Sequence, residues 1–382
     1  MVGDDTRSAP VLDPTHERHP VIEYLSFLST VVRLDVDEDA LPALAEVRRF
    51  FRHSLSPHAD QEPTFVVTVA SYVPERDVPA EVWAGERVDI RRSTAPAFTF
   101  DAHLVDHGRR RTYINRRTWL DTPRDARTDP RFALRVAEGC TIQVVDFLRD
   151  LVIRNEESSG TVILHASGAT DGTTVVAVTG PKGAGKTTTL LSMLRRPGWS
   201  YFTGDKLFCR LTDDGVDVYP WRDYPHVGVG TILADERLAD LVRSQVDPGL
   251  DDRPATDKLL LDPDLFEGWL GSEFSARPGR LGALLLPRVQ PGRALRTTPV
   301  DDANERWAAL QRSIERQADT SFFTWQSYLV PDYTRFFASL AQLHEALRDV
   351  PVLRVEGTLD VDPAAVLTAG DEGRLVAHGT SV

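Results

Sequence analysis

The segment that most restricts the fold is an eight-residue loop near mid-chain, Gly180-Pro181-Lys182-Gly183-Ala184-Gly185-Lys186-Thr187. It matches G-x-x-x-x-G-K-[ST] in full, and its flanks are correct. A β-prone run, residues 173–178 (TTVVAV), leads in, and a helix-prone run, residues 188–196 (TTLLSMLRR), leads out. Glycines let backbone amides curl around a polyphosphate where a Cβ would block the approach. The following helix aims its N-terminus and partial positive charge at the anion. In this frame Lys186 reaches the β- and γ-phosphates, and Thr187 places a hydroxyl on Mg²⁺ with Thr188 beside it. ATP and Mg²⁺ are therefore the expected ligands of an α/β fold with strand–loop–helix order.

The chain uses lysine sparingly. Of its 44 basic residues only Lys182, Lys186, Lys206 and Lys258 are lysine, and the rest are arginine. An ammonium is a compact point charge that a planar guanidinium does not imitate. Three of the four lysines cluster around the glycine-rich loop. Lys182 either adds charge over the phosphates or is a solvated loop residue.

A net charge of −13 argues against nucleic acid and anionic membranes as partners. Two cysteines are too few for a disulfide framework. The first residues show no signal-peptide pattern, and no apolar run approaches a membrane span, so a cytoplasmic protein is expected.

Length suggests two domains. Residues 1–20 read as a flexible N-terminus, 21–155 as a smaller mixed α/β domain, and 156–382 as a nucleotide-binding domain with C-terminal helices. Residues 130–155 carry apolar side chains at helical spacing and are expected to close the first domain as a helix. In the second, residues 161–169 and 173–180 read as strands around an Asp171-Gly172 turn. Residues 200–211 are strand-like, and Asp213-Asp214-Gly215 turns that run into the next strand.

Most proteins with such a loop hold the metal with an acid at the end of another apolar strand. The apolar strand at 281–286 ends in Pro287-Arg288 and supplies none. The best acid is Asp205, after Gly204, which could bind Mg²⁺ or serve as base toward an acceptor hydroxyl. His165 lies on the strand before the loop.

The run His165-Ala166-Ser167-Gly168, the Asp171-Gly172 turn, the glycine-rich loop and Gly204-Asp205 occur in one order at compact spacing. This resembles the HPr kinase and phosphoenolpyruvate carboxykinase superfamily of P-loop kinases. It looks closest to HPr-kinase-related kinases, which read His-Ala-Ser-Ala, a Gly-Lys-Ser/Thr loop, then Asp-Asp or Asn-Asp. The resemblance covers roughly residues 160–235. It implies a P-loop kinase core of HPr-kinase type, a mixed sheet with flanking helices, and room for a homo-oligomer. It also implies that His165 sits near the acid/base and metal site, with Lys186 and Thr187 on phosphate and metal. Asp205 would be one of the acidic pair. Two departures are visible. The acidic pair is reduced to Asp205, with Gly204 or Lys206 in the other place. The C-terminal carrier-protein signature of HPr kinases and the substrate motifs of carboxykinases are not recognised.

Further contacts to substrate or phosphate are expected from Lys206, from Arg222 in the loop 220–231, and from Lys258. Gly228 and Gly230 in that loop either permit close approach of a substrate or simply bend the chain. The arginines at 109–111, 116 and 117 read as a solvated face. The expected activity is transfer of the γ-phosphoryl group of ATP to a hydroxyl. The acceptor would be a Ser/Thr of a peptide or small protein, or a small-molecule alcohol. The alternative is a nucleotide-binding regulatory protein with weak or no transfer, which the missing acid favours.

Overall fold

A computed structural model describes residues 20–91, 100–290, 292–315, 324–330, 332–358 and 360–368. Nearly all of the segment expected to be a flexible N-terminus lies outside these. The first half of the chain runs β1 (Val21–Phe27), β2 (Thr30–Val36), α1 (Leu41–Phe50), β3 (Leu55–Ser56), β4 (Phe65–Ser71) and α2 (Pro74–Asp77). It continues with β5 (Arg87–Arg91), β6 (Phe100–Asp106), β7 (Arg110–Ile114), β8 (Thr118–Pro123), β9 (Arg131–Val136) and α3 (Ile142–Ser158). These strands form one nine-stranded sheet in the order β3-β1-β2-β4-β9-β8-β7-β6-β5. Its centre, β2-β4-β9, is parallel, and its flanks are antiparallel hairpins.

The second half runs β10 (Val162–Thr170), β11 (Thr174–Thr179), α4 (Lys186–Leu194), β12 (Ser200–Thr203), β13 (Lys206–Thr212), β14 (Gly215–Tyr219), β15 (His226–Gly228), α5 (Val229–Leu233) and α6 (Glu236–Gln245). Then come β16 (Lys258–Leu260), α7 (Pro263–Leu270), β17 (Gly279–Val289), β18 (Arg296–Pro299), α8 (Ala303–Ser313), α9 (Tyr333–Ala346) and β19 (Val352–Gly357). Asp235, Asp262, Asp302 and Asp332 cap α6 to α9 by accepting backbone N–H bonds, as short carboxylates do at helix starts.

The second sheet is mixed. β11 lies antiparallel to β10 and parallel to β17, which is parallel to β19. β10 also pairs with β13, β13 with β14, and β14 with β17, so five strands close a ring of pairings. Both the β11 and β17 carboxyl ends point to the glycine-rich loop, the end at which open α/β sheets bind ligands.

Residues 130–155 are not one helix. The first part is β9, which pairs in parallel with β4, and helix starts only at Ile142. Alternation in Arg131–Val136, with Phe132, Leu134 and Val136 buried, is a period of two that mimics helical spacing over so short a run. Nor is the first sheet small, having nine strands to the second's eight.

α3 joins the two halves. Of its 17 residues, 14 are buried, on every face. Val144, Leu148, Leu151 and Val152 share one core with α1 and the first sheet, and that core also takes in Ile163, Phe208 and Trp221 from the second half. A helix buried all round must pair its charges. Arg149 is bonded to Asp223, and Arg154 Nε donates to Asp150 at 3.0 Å. Asp150 also accepts from Tyr328 at 2.9 Å and from Gln326 at 2.6 Å. Glu156, fully buried, accepts from Ser29 N at 2.8 Å, Thr30 Oγ1 at 2.6 Å, Thr161 Oγ1 at 2.9 Å and Arg210 Nη2 at 2.8 Å. Among the described residues no helix is long and apolar enough to cross a membrane.

Glu156→Ala strands these donors and leaves Arg210 without its acid, so it should cost about 3–5 kcal/mol in urea unfolding. A loss below about 1 kcal/mol would mean the network carries little of the fold.

Candidate functional site at the glycine-rich loop

The loop begins where β11, buried along Val175–Val178, ends. Gly183 has φ of 84° and Gly185 of 106°, left-handed backbone that favours glycine. Gly185 is the residue immediately before α4, whose first turn presents Lys186, Thr187 and Thr188, all partly buried. The apolar side of that helix, Leu190, Leu191 and Met193, packs into a core with Val176 and Val178 of β11 and Ala283 and Leu285 of β17. The loop is thus anchored at both ends, and Val289 N donates to Ala184 O at 3.1 Å.

Lys186 Nζ donates to Gly180 O at 2.8 Å. Its pKa is pulled below the usual lysine value, first by burial and then by the like charge of Lys258, with Asp205 and Glu315 pulling the other way. Lys186, Lys258, Asp205 and Glu315 therefore share one electrostatic neighbourhood. Lys258 pairs at Gly228 in the ribbon of β15 and β16, and Thr231 Oγ1 lies 3.4 Å from Thr188 Oγ1. Lys182 is exposed on the loop.

β10 carries the rest of the site. Its first half pairs with β13, and its second half with β11 and β12. Gly204 and Asp205 fill the break between β12 and β13, held to β10 by their carbonyls. Asp205 O accepts from Ala166 N at 3.0 Å, and Gly204 O from Ser167 Oγ at 2.7 Å. A Cβ at Gly204 would lie 2.5 Å from the Tyr201 hydroxyl, so the position favours glycine. Across the ladder, His165 is the direct partner of Lys206.

The acid that sequence reasoning missed is Glu315. α8 stops at Ser313, and the chain turns extended at Ile314 to bridge Leu164. Glu315 N then donates to Ile163 O at 2.9 Å. This puts the carboxylate of Glu315 beside His165 of β10, Lys206 at the start of β13 and Asp205 just before it. His165 Nδ1 lies 3.4 Å from Asp205 Oδ1 and 3.3 Å from Glu315 Oε2. Lys206 Nζ lies 2.9 Å from Asp205 Oδ2 and 3.7 Å from Glu315 Oε1. In sequence Glu315 sits in a polar helix-like run and nothing marks it; only the return to β10 does.

Burial alone would raise both carboxylates, but their partners outweigh it. Lys206 and His165 hold Asp205 well below the usual carboxylate range. His165 and Lys206 bring Glu315 down to about 2. Lys206 is raised, because Asp205 and Glu315 overcome its own burial.

Two expected contacts are spent elsewhere. Arg222 is buried and donates to Glu267 at 2.8 Å, to Arg49 O at 2.9 Å and to Asp264, which binds α7 to α1. Lys206 faces the two carboxylates. Gly230 serves the backbone, since a Cβ there would stand 3.2 Å from Ala255 O, to which Gly230 N is bonded. The arginine run is paired within the protein: Arg110 with Asp121 of the neighbouring strand at 2.6 Å, and Arg111 with Ser327 of the second half of the chain at 2.9 Å. Among the described residues no three His, Cys, Asp or Glu side chains are arranged to hold a metal ion. The chain matches no family model and no curated protein.

Glu315 supplies a pH test. Its folded pKa is depressed, so its contribution to stability is present above its ordinary value of 4.5 and is lost as pH falls toward about 2. Glu315→Gln should flatten the fall of melting temperature across that window while leaving the neutral-pH slope unchanged. An identical acid limb in both proteins would contradict the cluster.

Proposed function

We propose that this chain is an ATP-dependent phosphotransferase of HPr-kinase-like type, acting on a hydroxyl acceptor. The observation that carries the reading is the convergence of Lys186 of a complete phosphate loop with His165, Asp205 and Glu315 at the carboxyl end of β11. The loop fits a polyphosphate: its glycines adopt the left-handed backbone that lets amides curl, and its lysine is partly desolvated.

On this reading residues 180–188 hold the phosphates of ATP, and the Thr187 hydroxyl holds Mg²⁺, which supplies charge neutralisation on the phosphates when bound. Lys186 offsets charge on the γ-phosphoryl group, and Lys258 adds a second cation from β16. Phosphoryl transfer passes through a loose transition state, so positioning and electrostatics matter more than base strength. A carboxylate as acidic as Asp205 can still orient the acceptor hydroxyl and take up its proton late, with His165 beside it. The acceptor is a Ser/Thr of a peptide or small protein, or a small-molecule alcohol.

One observation favours a nucleotide-binding regulatory protein with weak transfer: Lys206 already holds the carboxylate of Asp205. The two readings separate in a single comparison. Lys186→Ala should abolish the rise in melting temperature caused by ATP; an unchanged rise would sink the phosphate-loop assignment. With phosphate transfer from labelled ATP as readout, Asp205→Asn should lower the rate about 10²-fold or more. Nucleotide binding with transfer indifferent to Asp205→Asn would leave the regulatory reading.

A further inference from the structure

We infer that Lys206 is a built-in cation that takes the place of a divalent metal between Asp205 and Glu315. The inference deepens the kinase reading, because it sets how many metal ions that site uses.

The geometry is that of a bridged carboxylate pair. One oxygen of each carboxylate faces the Lys206 ammonium, at 2.9 and 3.7 Å. The other oxygen of each faces His165 Nδ1, at 3.4 and 3.3 Å. Two carboxylates drawn from segments over a hundred residues apart thus converge on one imidazole and one ammonium. Without a cation between them they would repel. In a nucleotide site that cation is ordinarily divalent; here it is covalently attached.

The attachment is rigid. Lys206 begins β13, is paired with His165 in the ladder, and its own carbonyl accepts from Thr203 Oγ1 at 2.6 Å. Its side chain is 9% exposed, so the ammonium does not swing into water. The choice of lysine is informative in a chain that uses arginine for nearly every other positive charge. A point charge fits between two carboxylates, whereas a planar fork imposes its own directions. The lowered pKa of both acids and the raised pKa of the lysine agree with three charged groups.

A second metal is then redundant at this position, and Asp205, expected from the sequence as a metal ligand, is a partner of Lys206. The metal of the site is the one carried with the nucleotide on Thr187.

Manganese counts this directly. In paramagnetic-resonance titrations with MnCl₂ and no nucleotide, wild type should bind no ion at the cluster. Lys206→Ala should gain one Mn²⁺ per chain, and Lys206→Ala with Glu315→Gln should lose it again. A folded Lys206→Ala that gains none would overturn the inference. So would a Mn²⁺ bound by wild type and released by Glu315→Gln, a comparison that does not need the lysine variant to fold. With a non-hydrolysable ATP analogue, wild type should bind one Mn²⁺ per chain, and two would overturn the inference. A protein that takes up no analogue at all would instead sink the kinase reading, leaving the nucleotide-free comparison standing.

Discussion

The arrangement of the site depends on one shared charge, the Lys206 ammonium lying against both Asp205 and Glu315. Each partner comes from a different part of the chain, and each reaches the ammonium only because its backbone is fastened to β10. Asp205 is fastened through its carbonyl, Lys206 through the ladder, and Glu315 through its amide on Ile163. The same strand carries His165 and pairs on its other edge with β11, from which the glycine-rich loop springs. Glycine-rich loop and carboxylate pair are therefore positioned by one piece of sheet. Breaking one partner of such a desolvated group costs more than the pair is worth, because the remaining charge stays buried.

Charge pairing also governs how the two halves meet. α3 presents buried Arg149 to Asp223, which lies in the segment leading to His226, and buried Glu156 to β2 and β13. Arg222 ties the same segment to α1 and α7. The segment that leads to His226, near the glycine-rich loop, is thus held from the first half of the chain. His226, whose pKa is lowered by burial against the pull of Asp223 and Asp205, sits at the end of that connection.

Much of this was legible in the sequence. The strand–loop–helix around residues 180–187 was, because glycine spacing and flanking propensity both act locally. So were the hairpins at Asp171-Gly172 and Asp213-Asp214-Gly215, where turn chemistry decides. The helix expected over 130–155 failed over nearly half its length, before Ile142, because pairing of β9 with β4 overrode a pattern too short to distinguish periods of two and 3.6. Glu315 was invisible, since its role comes from a chain reversal after α8 rather than from its neighbours in sequence. Arg222 was misleading for a related reason: an arginine in a glycine-containing loop looks available until Glu267 and Asp264 are folded against it. Lys206 was noticed for being lysine, but only the third dimension shows which groups it serves.

On the proposed reading the loop grips phosphates rather than a nucleoside. Calorimetric titration of wild type with Mg²⁺ and ATP, ADP or AMP tests that most directly. On that reading Lys186 and the loop amides would address the β- and γ-phosphates. ATP and ADP should each bind at one site per chain, with AMP much weaker. AMP bound as tightly as ATP, or no saturable binding of any of the three, would contradict the account.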